Sequence, residues 1–341
     1  MTEDIKKMRF GFVVSLQYPR GEAAKEFAER LRLARLARSL GFASFWTNQH
    51  FLAAPYQMLQ PMPALGRLSA ELPGARLGCV VLLPLFPPVL LAEELASLDI
   101  ISDGRLDVAL ALGYRDIEND ALGSPARQRV GRFNEGLQIL KGLWSGEPFH
   151  FDGRYHHVPE CQSLLLPVQR PHPPLWIAAN NDRAIERAAQ HGDAWLIAPH
   201  SPLSVVKRQM AVFQAARTAA DLPFPTVIPI RRDAYVAPTV EEAHEHAERY
   251  LGARYETYRQ WGQDRALPTE DRFSEDFSEL SSDRFLIGTP EQVRADLERY
   301  RSAIGVTDVI LRLDPADMPL ELVERSLRLF GNEVLPAFAS A

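Results

Sequence analysis

Polar residues that could take part in catalysis or ligand binding follow several short apolar runs of this sequence. Asn48-Gln49-His50 follows the run ASFWT, and His50 is the side chain of this group that exchanges a proton near neutral pH. The local sequence fits a general acid or base and a packed or capping histidine about equally well. Gly113-Tyr114-Arg115 and Asn180-Asn181 follow two further apolar runs. A fold that gathers these segments in one place would create a site.

Asn180-Asn181 and Gly113 are compatible with a flat ligand that carries phosphate. Asn180-Asn181 stands between a strand and a helix start, where backbone amides attract phosphate and asparagine side chains donate further hydrogen bonds. An ordinary asparagine cap explains the same pattern, and the local sequence alone favours it. Gly113 has no side chain, so its backbone could approach a flat ligand closely. The ligand is therefore not decided by either segment alone.

The spacing of histidine, cysteine and carboxylate residues predicts no metal site. His156 and His157 are adjacent, so on a strand they face opposite ways, and a solvated hairpin is the better interpretation. Cys79 and Cys161 are far apart and fit neither a disulfide framework nor a zinc site; the apolar run around Cys79 predicts a core residue. A solvent-exposed rim is expected from the charged residues Arg115, Asp116 and Glu118.

The elements that would position these residues alternate between strand and helix. Leu77–Leu83 and Leu106–Leu112 are apolar throughout, as in strands buried on both faces, and the amphipathic pattern Val89–Ser102 between them predicts a crossover helix. Eight such strands are predicted, at Met8–Val14, Ala43–Thr47, Leu77–Leu83, Leu106–Leu112, Leu175–Ala178, Ala194–Ala198, Val227–Val236 and Thr307–Leu313. This order predicts a closed (β/α)8 TIM barrel of the α/β class, with sites at the carboxyl ends of its strands. An open doubly wound sheet is the alternative, but it needs a glycine-rich loop where the chain reads SLQYPRG.

Two longer stretches interrupt the alternation in what is predicted to be a single domain over residues 1–341. After the fourth strand, Gly146–Pro174 is interpreted as an excursion with a hairpin around Asp152-Gly153. After the seventh strand, residues 239–285 form a second insertion: a helix over Thr239–Trp261 and then Gln263–Arg284, which is acidic, polar and without apolar periodicity. We expect Gln263–Arg284 to act as a mobile lid.

Composition bounds the class of protein. The chain has 341 residues, of which 46% are hydrophobic, which is ample for a large core. Its net charge of −6 and the lack of a basic face argue against nucleic acid as a partner. The start, MTEDIKKMRF, has no long apolar segment, so neither a signal peptide nor a membrane anchor is expected. A cytoplasmic protein is the resulting expectation.

Six segments in order resemble the bacterial luciferase-like flavin monooxygenase superfamily over nearly the whole chain. They are RFGFVVS, LGFASFWTNQHF, LGCVVLLPLFPPVLLAEELASLDIISDGRLDVALALGY, ILKGLWSGEPFHFDGRYHHV, PVQRPHPPLWIAANNDRAIERAAQHGDAW and FLIGTPEQVRADL. The resemblance implies a (β/α)8 barrel with an insertion after the seventh strand, a flavin at the carboxyl rim, and commonly a homodimer.

The resemblance also implies roles for individual residues. WTNQHF matches the family pattern W-x-x-E-H-H-F, with Asn48 in place of Glu, Gln49 in place of the first His, and His50 at the second. Leu112 stands where the luciferases have a phosphate-binding arginine. Catalytic roles are thereby implied for His50 and Gln49, and contact with the flavin for Asn48, Cys79, Val80, Gly113, Tyr114, Asn180 and Asn181.

Three functions are open on this basis. The first is a two-component monooxygenase that uses reduced FMN from a separate flavin reductase to oxygenate a small organic substrate with O2. The second is a deazaflavin-dependent dehydrogenase on the same barrel. The third, motivated by Gln49, Leu112 and Asn180, is a flavin-binding homologue without catalytic activity. A spectral test of which reduced cofactor binds would separate the first two.

Overall fold

The computed structural model describes residues 7–268, 272–315 and 317–339, and its centre is a ring of parallel strands. Numbered β1 to β8, these strands are Arg9–Val13, Ser44–Thr47, Arg76–Leu82, Leu106–Ala111, Leu175–Ala179, Ala194–Ile197, Pro229–Val236 and Asp308–Arg312. Each strand pairs with its neighbours in parallel register, and the pairing of Ile197 with Ile230 closes the ring. The predicted (β/α)8 barrel is confirmed, and the open-sheet alternative is wrong.

Helices between the strands form the outer layer. The main ones are Ala23–Ser39, Pro61–Glu71, Pro88–Ile101, Arg129–Trp144, Asp182–His191, Leu203–Ala219, Pro290–Ile304 and Leu320–Leu329. Their buried faces and the outward-facing strand residues make one large apolar core. The start of Pro290–Ile304 illustrates how sequence sets a boundary. Thr289 and Gln292 exchange hydrogen bonds in a capping box, and Pro290 occupies the first helical position.

The connection from β7 to β8 is more structured than its polar sequence suggests. Val240–Ala247 and Ala253–Gln260 are separate helices joined by the π-helical turn Glu248–Gly252, where the periodicity predicts one helix. Within the proposed lid, Phe277–Ser281 is a short helix. Three apolar side chains spaced well apart in the lid sequence are buried: Leu267, Phe273 and Leu280. They anchor the segment to the protein, and its mobility stays a prediction.

Short elements complete the fold. Phe149–Asp152 and His157–Cys161 pair in antiparallel register, so the hairpin predicted around Asp152-Gly153 is present. Some short elements fall outside the predicted pattern, among them the helix Asp116–Ala121, the antiparallel pair Gln17–Tyr18 and Gln57–Met58, and the strand Leu286–Gly288 beside β7. They are two to six residues long, which is too short for periodicity to reveal.

Two tryptophans fill the middle of the barrel. Trp46 on β2 and Trp176 on β5 stack with ring centroids 4.8 Å apart and planes 25° from parallel. A Cβ at Gly78 would lie 2.2 Å from the Trp46 ring, so β3 needs a glycine there. Small and branched residues complete this layer: Val13, Ala109, Ala194 and Ile310. The layer separates the space at the amino ends of the strands from the space at their carboxyl ends.

Candidate active site

A cavity of about 220 Å³ opens at the carboxyl ends of the strands. Side chains alternate along a strand, so the residues two positions after the tryptophan layer also face inward. All eight of these positions line the cavity: Ser15, Asn48, Val80, Ala111, Ala178, Leu196, Arg231 and Arg312. The barrel therefore builds the cavity floor from one residue of every strand.

Most of the residues implied by the family resemblance meet at this cavity. The members of the predicted set that line it are Asn48, Gln49, His50, Val80, Gly113, Tyr114, Asn180 and Asn181. Cys79 is the exception. It is fully buried in the outer core, one position out of phase with Gly78 and Val80, and burial raises the pKa of its thiol to about 12. The core position predicted from the apolar run around Cys79 is thus confirmed, and its side chain lies away from the cavity.

His50 is hydrogen-bonded to a buried glutamate. Its Nδ1 lies 2.9 Å from Oε1 of Glu118, whose side chain is 1% exposed. The same oxygen accepts hydrogen bonds from the backbone N–H of Phe51 at 2.9 Å and from Arg115 at 3.2 Å. Glu118 thereby fixes the orientation of the His50 ring, and it leaves Nε2 as the nitrogen able to exchange a proton with a ligand.

The exposed rim expected at residues 115–118 is wrong for two of its three charges. Asp116 is exposed, but Arg115 and Glu118 are buried. Arg115 donates to the backbone carbonyls of Phe51 and Leu52 and stacks 4.2 Å from the Trp261 ring centroid. The sequence around Arg115 could not reveal these contacts, because Phe51 and Leu52 follow β2 and Trp261 lies beside the lid. Arg115 and Glu118 are therefore buried residues that hold His50 in place.

The Gln49 side chain holds neighbouring backbone segments in place through hydrogen bonds. Its Oε1 accepts from the Leu82 N–H at 3.1 Å, and its Nε2 donates to Gln60 Oε1 at 3.4 Å. Gln60 in turn donates to the carbonyl of His50 at 3.1 Å. This chain of hydrogen bonds ties the end of β3 to the segment that carries His50.

Residues that begin the predicted lid cover the cavity. The Tyr114 hydroxyl donates to Oε1 of Gln263 at 3.2 Å, and the other end of that amide contacts Nε2 of His200. Trp261 packs edge-on against His50, with ring centroids 5.4 Å apart. Burial lowers the pKa of His200 to about 3, so this ring is neutral at physiological pH. The cover restricts water access on the side where His50 lies.

Asn181 and Arg129 stand on the opposite part of the rim from β7 and β8. Asn181 caps the helix Asp182–His191 by accepting from the Ala184 N–H at 3.1 Å, which confirms the ordinary capping interpretation. Its amide nitrogen makes one long contact, 3.5 Å, with the Asn180 side chain. Arg129, which sequence analysis missed, also lines the cavity and donates to the Gly113 carbonyl at 3.4 Å. A cation is therefore present near Leu112 although Leu112 itself is apolar.

A buried network of charge lies at the β7 end. Arg254 pairs with Asp233 at 2.8 Å and donates twice to the Tyr258 hydroxyl oxygen, at 3.0 and 2.6 Å. Burial by itself would raise the pKa of Tyr258, but the charges of Arg254 and Arg312 outweigh it, and the pKa is lowered. Asp233 and Arg312 are register partners on β7 and β8. Charged residues inside the apolar runs VIPIRRDAYV and TDVILRL were the available signal for this network.

The cavity suits the flavin that the family resemblance implies. Its floor is apolar where β3, β4 and β6 contribute Val80, Ala111 and Leu196, as a flat ring system requires. Asn48 Oδ1 is buried at this floor and has no hydrogen-bond partner among the described residues. An imide N–H of a flavin ring would satisfy that oxygen, and buried polar atoms are normally satisfied. The residues present fit the cofactor.

The sequence matches the family model of the luciferase-like monooxygenases over residues 8–307. The chain belongs to the luciferase-like monooxygenase family. A relative in Acinetobacter baylyi, the oxygenase component of flavin-dependent trigonelline monooxygenase, is 29% identical over 361 residues, covering 98% of this chain and 96% of the relative. The similarity between the two sequences therefore extends over nearly the full length of both proteins.

Several solved structures have the same fold as this chain. The monooxygenase RslO1 from Streptomyces bottropensis superposes with a TM-score of 0.83 at 28% identity, over 97% of this chain and all of that one. Two others share the fold with a TM-score of 0.77. They are the oxygenating constituent of 3,6-diketocamphane monooxygenase from Pseudomonas putida, in complex with FMN (20% identity, 97% and 98% coverage), and an F420-dependent secondary alcohol dehydrogenase (19% identity, 98% and 100% coverage).

The described residues contain neither a group of metal-binding side chains nor a helix that could span a membrane. Within residues 7–268, 272–315 and 317–339, no three histidine, cysteine or carboxylate side chains are grouped as a metal site requires. No helix in the same ranges has the length and apolar content of a membrane span.

Proposed function

We propose that this luciferase-like protein is the oxygenase component of a two-component flavin-dependent monooxygenase. The observation that supports this most directly is the His50–Glu118 pair at the edge of a cavity whose floor is apolar on β3, β4 and β6. Reduced FMN, delivered by a separate reductase, would supply the chemistry of O2 activation when bound. The substrate is a small organic molecule, and the protein's part is to place it and exclude water.

The cofactor would be held by contacts from several strand ends. Asn48 accepts from the flavin ring, and Val80, Gly113 and Tyr114 pack around it. Asn180 and Asn181 receive the phosphate at the start of the helix Asp182–His191, where backbone amides favour an anion. Arg129 supplies the positive charge that Leu112 lacks.

The two residues with proposed catalytic roles act differently. His50 exchanges a proton at Nε2 with the flavin or the substrate, while Glu118 holds its Nδ1 and stabilises the charged ring. Gln49 holds the end of β3 in place for that exchange through its bond to the Leu82 N–H. Trp261, which follows the helix Ala253–Gln260, and Gln263, the first residue of the lid, keep bulk water from the reacting atoms.

The assembly proposed around this chemistry has three parts. A flavin reductase meets the protein transiently to transfer reduced FMN; the Acinetobacter relative is likewise the oxygenase component of its system. The protein itself forms a homodimer, which the family resemblance implies. Both proteins work in the cytoplasm, where reduced nicotinamide is available to the reductase.

The deciding experiment compares cofactors and then tests His50. The purified protein is titrated without oxygen with reduced FMN and with reduced deazaflavin, and O2 is then mixed in while flavin reoxidation is followed. We expect reduced FMN to bind, and His50→Ala to change the reoxidation rate about 100-fold with little effect on FMN affinity. His157→Ala, on the exposed hairpin, is the matched control and should behave as the parent protein.

A different cofactor preference would replace the proposal. Binding of reduced deazaflavin without binding of reduced FMN would make the protein a deazaflavin-dependent dehydrogenase, for which the shared barrel of the F420-dependent alcohol dehydrogenase is the supporting observation. Tight flavin binding without any flavin-dependent oxygen consumption would instead indicate a homologue that has lost catalysis.

A further inference from the structure

The floor of the cavity is asymmetric in charge. Of its eight inward positions, the six on β1 to β6 are uncharged, whereas the two on the neighbouring strands β7 and β8 are Arg231 and Arg312. Charges are rare inside a barrel because each loses its hydration. Two adjacent arginines at one point of the floor therefore require a compensating partner.

The protein itself provides little compensation. The Arg231 guanidinium makes no hydrogen bond or ion pair with any group in the described ranges, and its Nε is buried. Arg312 is 5% exposed, its Nε is also unpartnered there, and its one hydrogen bond is a long contact of 3.5 Å to Tyr258. Burial and the neighbouring Arg312 lower the pKa of Arg231 to about 10, so it stays protonated at neutral pH.

The two nearby carboxylates pair with other arginines. Asp233 accepts from Arg254 at 2.8 Å and from the Tyr255 hydroxyl at 2.8 Å. Asp314 lies 3.4 Å from Arg30 and accepts from the Ser15 N–H at 3.3 Å. Within the described ranges, neither carboxylate forms an ion pair with Arg231 or Arg312, so these two charges have no direct counter-ion in the protein.

A third donor completes the arrangement. The Tyr258 oxygen accepts hydrogen bonds from Arg254 and Arg312, and its own proton has no acceptor among the described residues. Tyr258 lines the cavity beside both arginines. Two guanidinium groups and one hydroxyl are a donor set for an anionic oxygen group.

We propose that the substrate carries a carboxylate, bound by Arg231, Arg312 and the Tyr258 hydroxyl at the β7–β8 side of the cavity. This rests on the proposed function and narrows its substrate to small organic acids. An arginine binds the two oxygens of a carboxylate in parallel, which fixes orientation as well as position. The remainder of the substrate would then extend over the apolar part of the floor.

The other anion that could occupy this cavity is the flavin phosphate. Asn180, Asn181 and Gly113 follow β5 and β4, and Arg129 bonds to Gly113. In the ring, β6 separates β5 from β7 on one side, and β1 to β3 separate β4 from β8 on the other. The phosphate therefore has its own donors on a different part of the rim, and the two anions are distinguishable by mutation.

Binding of matched acids and amides tests the proposal without any turnover. Benzoate, phenylacetate and cyclohexanecarboxylate, each beside its neutral amide, are titrated into the protein with oxidised FMN present and with it absent. We expect at least one acid to bind in the millimolar range or better and its amide to bind far more weakly. Arg231→Gln and Arg312→Gln should each weaken binding of the acid about 10- to 100-fold and leave binding of the amide unchanged. Arg312→Lys, which keeps the charge but not the paired donors, should fall between.

A second arm assigns the anion. Affinities for FMN and for riboflavin, which has no phosphate, are measured for the same variants and for Arg129→Gln. We expect Arg129→Gln to weaken the binding of FMN relative to that of riboflavin and to leave the binding of the acids unaffected. The proposal is overturned if no acid binds better than its amide. It is also overturned if Arg231→Gln and Arg312→Gln weaken the binding of FMN but not that of riboflavin. Because no oxygenation is needed, failure of the monooxygenase reaction would not alter this outcome, and failure here would leave that reaction standing.

Discussion

At the scale of single residues, Gln49 and His50 show how neighbours in sequence take separate tasks. Successive side chains at a strand end point in different directions. Gln49 turns into the protein, is 3% exposed, and bonds to the Leu82 N–H, whereas His50 faces the cavity opening and meets Glu118. The motif therefore combines a residue that holds β3 with a residue that can exchange a proton.

Removing the Gln49 side chain should cost stability. Gln49→Ala leaves the buried Leu82 N–H without an acceptor, for which the cost is about 1–3 kcal/mol of unfolding free energy. His50→Ala, at a more exposed position, should cost less stability and more turnover. Urea unfolding of both variants beside the parent provides the comparison. Equal stability of Gln49→Ala and the parent protein would mean that the Leu82 bond contributes nothing.

Residue types alone predicted only part of the site. Asn48, His50, Gly113 and Asn180 were identifiable because each follows an apolar run, where a barrel places its ligands. Arg231 and Arg312 were not identifiable in this way, because each lies inside an apolar run. There, the alternation of the strand decides whether a side chain faces the cavity or the surrounding helices. Counting two positions on from the tryptophan layer would have found both.

At the scale of elements, alternation within a strand decides which residues can act. On β3, Gly78 and Val80 face the barrel interior, and Cys79 between them faces the helices. Strand positions were predicted to within about two residues, yet a shift of one residue exchanges core and cavity. That is why locating the strands did not settle the role of Cys79.

Gly78 provides a test of the tryptophan layer. A Cβ at Gly78 would lie 2.2 Å from the Trp46 ring, which is stacked on Trp176 and cannot move aside. Gly78→Ala should therefore lower the unfolding free energy by about 1–3 kcal/mol through overpacking. Gly66→Ala is the matched control. Gly66 lies in the helix Pro61–Glu71 with no atom near its would-be Cβ, so alanine should stabilise by about 0.5–1 kcal/mol. Equal effects of the two substitutions would contradict the packing argument.

At the scale of the whole molecule, the fold was the most predictable feature and the lid the least. Eight strands buried on both faces admit few arrangements once each is followed by a helix, and closure satisfies every strand edge. The lid segment has three isolated buried apolar residues, Leu267, Phe273 and Leu280, and Phe273 packs against the distant His200. No local pattern encodes contacts of that kind.

The free energy of unfolding should depend on pH because His200 is buried beneath the lid. Its pKa is about 3 when folded, lowered first by burial, against 6.5 for an unperturbed histidine. Between these values the unfolded chain binds a proton that the folded chain does not, so the unfolding free energy falls as the pH falls through this window. From about pH 6 to about pH 4.5 this single group should remove about 2 kcal/mol. His200→Gln cannot take up that proton, so urea unfolding at the two pH values should show a pH-dependent loss smaller by that amount than in the parent protein. An unchanged pH dependence in the variant would mean that His200 is solvated in the folded protein and that the lid does not exclude water from this side of the cavity.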